Sequence, residues 1–167
     1  MIRRALPYVV LAAAYELAGA AHRGQARDHG GPYIRRPVDV TRILAVEHGV
    51  LDVDILCAGF LHDVIEDSDI TRAAIDRRFG PRVAGVVDAL TKNKGGAGGF
   101  SFDAYAENIR QTGFAGIAVK LADRLSNIRD LELCPDRDKQ DRYARATQEE
   151  FLPAFDLSRE AYGRMPG

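Results

Sequence analysis

Residues 62–67 read His-Asp-Val-Ile-Glu-Asp, four ionisable groups that close the run DILCAGFLHDVIED at 54–67, whose middle is apolar. If that run is one helix, a spacing of four sets His62 above Glu66 on one face and Asp63 above Asp67 on the neighbouring face. A neutral imidazole beside a carboxylate is a natural pair for a divalent metal, and two further carboxylates could orient a water or take its proton. The plain alternative is a helix end that emerges into solvent with its acids exposed. The apolar residues before the cluster favour a buried start, where charges need partners.

Two other segments carry chemistry-bearing residues. Lys120, Asp123, Asn127 and Asp130 fall at steps of three and four along 115–133, one face of a helix whose core stripe would be Ile117, Leu121, Leu125 and Ile128. A solvated face accounts for them equally well, but an aspartate there could complete a metal site. In 21–37, His22, Gln25, Arg27, Arg35 and Arg36 crowd a Gly-rich connector, raw material for gripping an anion or simply an exposed basic loop. No P-loop, dinucleotide-binding glycine pattern or Gly-x-Ser-x-Gly elbow occurs, so those chemistries lack support.

Helices must position these groups. Residues 2–21 imitate a secretory signal, but Tyr8, Leu11, Tyr15, Ala18 and His22 form a helical stripe and Glu16 interrupts the would-be cleavage region. They read as a first core helix, too short and interrupted to span a membrane. Pro37 is placed to start the next helix through VDVTRILAVEH. The run 54–67 is apolar all round in its middle, the mark of a central element. Asp69 is placed to cap ITRAAIDRRF, which Gly80 ends, and Pro81 opens PRVAGVVDALTKN. The glycine loop 94–99 precedes helices over 102–112 and 115–133, the latter stopped by Pro135, and a polar helix over roughly 137–162. Nothing alternates with period two for long enough to make a sheet. The expected fold is all-α, one domain over 1–167.

Composition bounds the function. The 167 residues are 28% charged and 46% hydrophobic, globular values with enough apolar surface to fold without a disulfide framework. The 23 basic and 24 acidic side chains leave a net charge of −1, which excludes nucleic-acid binding by bulk charge. The two cysteines, Cys57 and Cys134, form no CxxC pair, so a reducing, cytoplasmic setting is the default.

HRGQARxxGGPYI (22–34), FLHDVIEDSD (60–69) and VKLADRLSNIRDL (119–131) together resemble the sequence blocks of the RelA/SpoT-type HD hydrolase domain, in order from about residue 8 to residue 150. At this length the likeness is to the small alarmone hydrolases. It implies an all-helical HD bundle holding one Mn²⁺, and a guanosine tetra- or pentaphosphate substrate, (p)ppGpp, that loses its 3′-pyrophosphate to water. By the same resemblance His62, Asp63 and Asp123 match metal ligands, and Glu66 and Asp67 match the acidic pair that activates water. Arg27 and Asn127 match nucleotide-contacting positions. Lys120 has the charge to meet phosphate, and Arg36 is counted with these substrate-facing groups.

The sequence departs from the pattern at Arg36, where the family reads PYI-x-His-Pro and the histidine is a metal ligand. Arginine stays protonated and offers no lone pair. Three accounts follow: His22 or His29 replaces the ligand, water fills the position, or Arg36 itself sits there as a fixed cation paired with the acids. Ser126 is a second departure, at a position usually His or Tyr, and the glycine loop is a third. The leading expectation is a Mn²⁺-dependent (p)ppGpp 3′-pyrophosphohydrolase. The alternatives are a non-catalytic or metal-impaired nucleotide-binding HD module and a hydrolase for an adenosine-based alarmone. With the chain ending at Gly167, degradation is expected to be uncoupled from synthesis. A guanine nucleotide is the expected partner, neither nucleic acid nor membrane is expected, and homo-oligomerisation is left open.

Overall fold

The structure is a computed structural model, and it describes residues 6–27, 30–92 and 99–155. These residues form an all-helical bundle, and the sole β feature among them is one bridge between Ala26 and Pro32 that pins the loop after the first helix. His29, most of the 94–99 loop, and the stretch beyond 155 lie outside the described residues.

The first helix, α1 (Pro7–Ala21), starts on proline and buries Ala13, Ala14 and Ala18. Its tyrosines face outward: Tyr8 and Tyr15 are exposed, so the buried stripe follows the alanines and ends at His22. Small side chains let α1 lie close to α3 (Val53–Leu61), the central helix, whose Ile55, Leu56, Cys57, Ala58 and Leu61 are all buried. Asp52 caps α3 by accepting from the Asp54 and Ile55 amides. On its other side α3 meets α2 (Arg35–Arg42), which runs into a π-helical turn over Ile43–Glu47. Gly59 makes that approach fit. A β-carbon there would lie 2.9 Å from Thr41 Oγ1 and 3.0 Å from Leu44 Cδ1.

The expected helix over 54–67 is in fact two. After α3 the chain turns at His62 and Asp63, then resumes as α4 (Val64–Asp67). Thr71, rather than Asp69, caps α5 (Arg72–Phe79), and Gly80 (φ 96°) lets the chain turn directly into α6 (Pro81–Leu90). Pro37 is the third residue of its helix, not the first.

Next come α7 (Phe102–Gln111) and α8 (Phe114–Leu131). The face of α8 differs most from the expectation. Ala115, Gly116, Ala118, Val119, Ala122, Asp123 and Ser126 are buried, while Ile117, Leu121 and Leu125 are only half-buried and Ile128 is exposed. Asp123 therefore faces inward. Finally α9 (Arg137–Ala146), a π-helical turn over Thr147–Phe151 and α10 (Leu152–Ala154) fold back. Arg124 docks this segment onto α8, its guanidinium 4.4 Å from the Tyr143 ring centre and 4.2 Å from that of Phe151.

Candidate functional site

Three helix ends and one helix face meet at the acidic cluster. The break between α3 and α4 supplies His62 and Asp63, the start of α2 supplies Tyr33 and Arg36, and the buried face of α8 supplies Lys120, Asp123 and Asn127. His62 is oriented by its own helix, with Nδ1 donating to the Gly59 carbonyl at 2.9 Å. Its Nε2 then points at two carboxylates, 3.1 Å from Asp63 Oδ2 and 3.6 Å from Asp123 Oδ1, close but misaligned for hydrogen bonds.

Asp123 is the hub. Its Oδ1 accepts from Arg36 Nη2 at 2.7 Å, Arg36 Nε at 3.1 Å and Asn127 Nδ2 at 2.9 Å, while Oδ2 accepts from Lys120 Nζ at 3.0 Å. Asp63 Oδ2 accepts a 2.6 Å bond from the Tyr33 hydroxyl and lies 3.5 Å from Arg36 Nε. Burial alone would raise both acids, but Lys120, Arg36 and His62 hold Asp123 well below the usual carboxylate range. For Asp63 the downward pull comes from His62 and Arg36. Burial would lower His62, yet Asp63 and Asp123 outweigh it and push the imidazole up to about 10.

The expected metal can be tested against these donors. Arg36 stands where the family resemblance expects a histidine ligand, and a guanidinium cannot coordinate. Both carboxylate oxygens that would face an ion already accept from Arg36, Asn127 or Tyr33. Among the described residues no set of three or more His, Cys, Asp or Glu side chains is arranged to hold an ion. As arranged, this set does not fit a resident Mn²⁺. His22 does not take over the lost position: its Nδ1 bonds Gln25 Oε1 at 2.8 Å and its ring packs on Tyr33 at 4.6 Å.

Glu66 and Asp67 border the same centre. With His62, Asp63, Arg36 and Lys120 they line a cavity of about 120 Å³. Glu66 Oε2 accepts from the Lys92 amide at 3.2 Å, and the Asp67 carbonyl accepts from Gln25 Nε2 at 3.0 Å. Next to it opens a cleft of about 490 Å³ whose walls include Arg27, Arg36, Lys120, Asn127, Tyr105 and Tyr143. This volume suits a nucleotide-sized ligand, and the walls offer both cations for phosphate and aromatic rings for a base. Arg27 is itself paired, with Asp39 at 3.3 Å and with Asp130.

All nine residues expected from the sequence thus border the two adjoining cavities. The pattern reading missed Tyr33, which holds Asp63, and took Gln25 only as material for gripping an anion, whereas it bonds the Asp67 main-chain carbonyl. Both lie in the 22–34 block, but nothing in their spacing says which acid they reach 30 and 42 residues away.

Residues 14–153 match the family described as the HD domain. The chain is 44% identical over 146 residues to a guanosine-3′,5′-bis(diphosphate) 3′-pyrophosphohydrolase of Vibrio cholerae, a match covering 83% of this chain and 20% of that protein. It is 42% identical over 147 residues to the bifunctional (p)ppGpp synthase/hydrolase SpoT of Escherichia coli K12, covering 84% and 20%. It is 40% identical over 146 residues to a GTP pyrophosphokinase of Streptomyces coelicolor, covering 84% and 17%. The chain therefore spans about a fifth of the length of these curated relatives. Among solved structures it is similar to a metazoan SpoT ortholog described as hydrolysing ppGpp, with a TM-score of 0.74 and 28% identity over 89% of this chain and 86% of that one.

Proposed function

The chain belongs to the HD-domain family, and from that premise we propose that it removes the 3′-pyrophosphate of (p)ppGpp by hydrolysis. The relatives carry names for both hydrolysis and synthesis, so the site must choose between them. One observation carries the choice: the acids Glu66 and Asp67 line a small cavity together with Arg36 and Lys120, beside a cleft large enough for the nucleoside. That set suits hydrolysis, with carboxylates that can take a proton from water and cations for phosphate around one cavity.

In the proposed reaction the aromatic cleft holds the nucleoside and Arg27, Lys120 and Asn127 steer its phosphates. Glu66 and Asp67 orient a water and accept its proton. The water oxygen bonds to the phosphorus attached to the ribose 3′ oxygen, that P–O bond breaks, and the 3′ oxygen regains a proton. The products are pyrophosphate and GDP or GTP. Arg36 and Lys120 offset the negative charge that builds on the phosphoryl oxygens. Arg36 lies on the donors that the Mn²⁺ expected from the family resemblance would need.

A second reading, binding without turnover, is favoured by the 2.7 Å Arg36–Asp123 pair. Both readings are tested by incubating the chain with guanosine 5′-diphosphate 3′-diphosphate, once in EDTA and once with added Mn²⁺, and quantifying pyrophosphate and GDP. The hydrolase reading expects the two products in equal amounts, and a loss of roughly 10²–10⁴-fold in turnover in Glu66→Gln and Asp67→Asn. Nucleotide binding without release in either condition supports the second reading. The same assay with the adenosine analogue decides the base.

A further inference from the structure

Two carboxylate oxygens lie within 4 Å of His62 Nε2, Asp63 Oδ2 and Asp123 Oδ1. They are also the two that Arg36 addresses: Nη2 and Nε lie 2.7 and 3.1 Å from Asp123 Oδ1, and Nε lies 3.5 Å from Asp63 Oδ2. An ion bridging the imidazole and the two carboxylates would have to bind those same atoms. The guanidinium also lies over the Tyr33 ring, its carbon 5.7 Å from the ring centre.

Both acids already have a fixed cation beside them: Arg36 lies against Asp63 and Asp123, and Lys120 against Asp123. A divalent ion would add two positive charges next to these cations, in a site where Asp123 and His62 are almost fully buried. A neutral side chain at position 36 removes one of those cations and leaves Asp63 without its arginine, which favours a metal cation there.

Arg36 is also reachable. Its side chain is 22% exposed and lines both the small cavity and the large cleft. Nε and Nη2 are engaged by Asp123, and no hydrogen bond from Nη1 to the protein occurs among the described residues. A planar guanidinium offers its free edge to phosphate oxygens.

We propose that Arg36 is the resident cation of this centre, standing where an ion would bridge His62, Asp63 and Asp123 and receiving the pyrophosphate end of a nucleotide without a divalent metal. This rests on the reading that the cleft takes a polyphosphate nucleotide. It changes how that nucleotide is held: the cation is encoded in the chain and is not removed by a chelator.

The test uses the full chain, stripped with EDTA and then dialysed against Mn²⁺, with metal counted by elemental analysis and by loss of the free-ion paramagnetic resonance signal. Inorganic pyrophosphate is the binding probe, followed by calorimetry with and without EDTA. The parent is expected to retain no stoichiometric Mn²⁺ and to bind pyrophosphate equally in both conditions. Arg36→His is expected to take up close to one equivalent of Mn²⁺, with pyrophosphate binding that now needs the ion. Arg36→Gln, which adds no donor strong enough for a metal, is expected to lose roughly tenfold or more in pyrophosphate affinity. Thermal melts establish that each variant is folded. One equivalent of Mn²⁺ in the parent overturns the proposal, and so does unchanged pyrophosphate affinity in folded Arg36→Gln. The parent measurement decides by itself should both variants fail to fold. Failure of the hydrolase reading is seen separately, as no pyrophosphate released from the guanosine nucleotide while these binding results hold.

Discussion

Arg36–Asp123 and Arg129–Glu47 are the same chemical pair in two settings. The outer pair has the better geometry: Arg129 Nη1 and Nη2 each reach a different Glu47 oxygen at 2.8 Å, a parallel two-bond fork. The inner pair is lopsided, with both nitrogens on one oxygen at 2.7 and 3.1 Å. The settings invert that ranking. Arg129 is 47% exposed, so water screens its partner and competes for its donors, whereas Asp123 is 4% exposed and has only protein groups to satisfy it. A good fork in water ties the end of α8 to the π-helical turn after α2 and does little more. A poorer contact in the interior fixes charge where the chemistry would occur.

Four measurements sharpen or break that contrast. The largest effect is expected from Asp123→Ala, which strands Arg36, Lys120 and Asn127 without their common acceptor. Denaturant unfolding should show a loss of about 3–5 kcal/mol, and a loss within error would mean that the centre is wetter than its burial implies. Lys120→Met should cost less, about 1–3 kcal/mol, because Asp123 keeps Arg36 and Asn127 as donors.

The third measurement is a pH series of thermal midpoints. His62 is raised from 6.5 to about 10, so its contribution is whole below pH 6.5 and disappears as pH rises toward 10. Asp63 and Asp123 are held below 3.8, so theirs is present above pH 3.8 and is lost as pH falls further. The midpoint should be highest between pH 3.8 and 6.5, and His62→Asn should flatten the alkaline limb. An unchanged alkaline limb in that variant would show that His62 is neutral in the folded protein. The smallest effect is expected at the outer pair. Glu47→Ala should move the midpoint by no more than ~1 °C, and that small shift should vanish in high salt. A shift as large as that of Lys120→Met would break the comparison.

Much of the helical scaffold was readable from local chemistry. Proline at a helix start, glycine after a helix end and three- and four-residue spacing act within one or two turns, so α1, α5, α6, α7 and α8 appear near their expected places. Rules of that range do not say which face of a helix is covered. In α8 the larger residues Ile117, Leu121, Leu125 and Ile128 suggested the core, yet the face that packs carries alanines, Gly116 and Asp123. Neighbouring helices approach closely there, and close approach selects small side chains over large ones. The interruption at His62–Asp63 escaped the apolar pattern for a similar reason. It is held by contacts from elsewhere, the Tyr33 hydroxyl on Asp63 and the Gln25 amide on Asp67.

The sequence by itself determined which groups were available: two aspartates and a histidine in one set of blocks, an acidic pair beside them, and an arginine where the resemblance called for a lone pair. That much is covalent and needs no fold, since no environment makes a guanidinium a metal ligand. Where Arg36 and His22 stand relative to the acids depends on the tertiary structure. It sets Arg36 on Asp123 across 87 residues of chain and stacks His22 on Tyr33, away from the acids. The physical reason is range. Ligand chemistry belongs to a side chain, whereas the charge a buried carboxylate meets depends on every element packed around it, and that packing is settled by the whole chain at once.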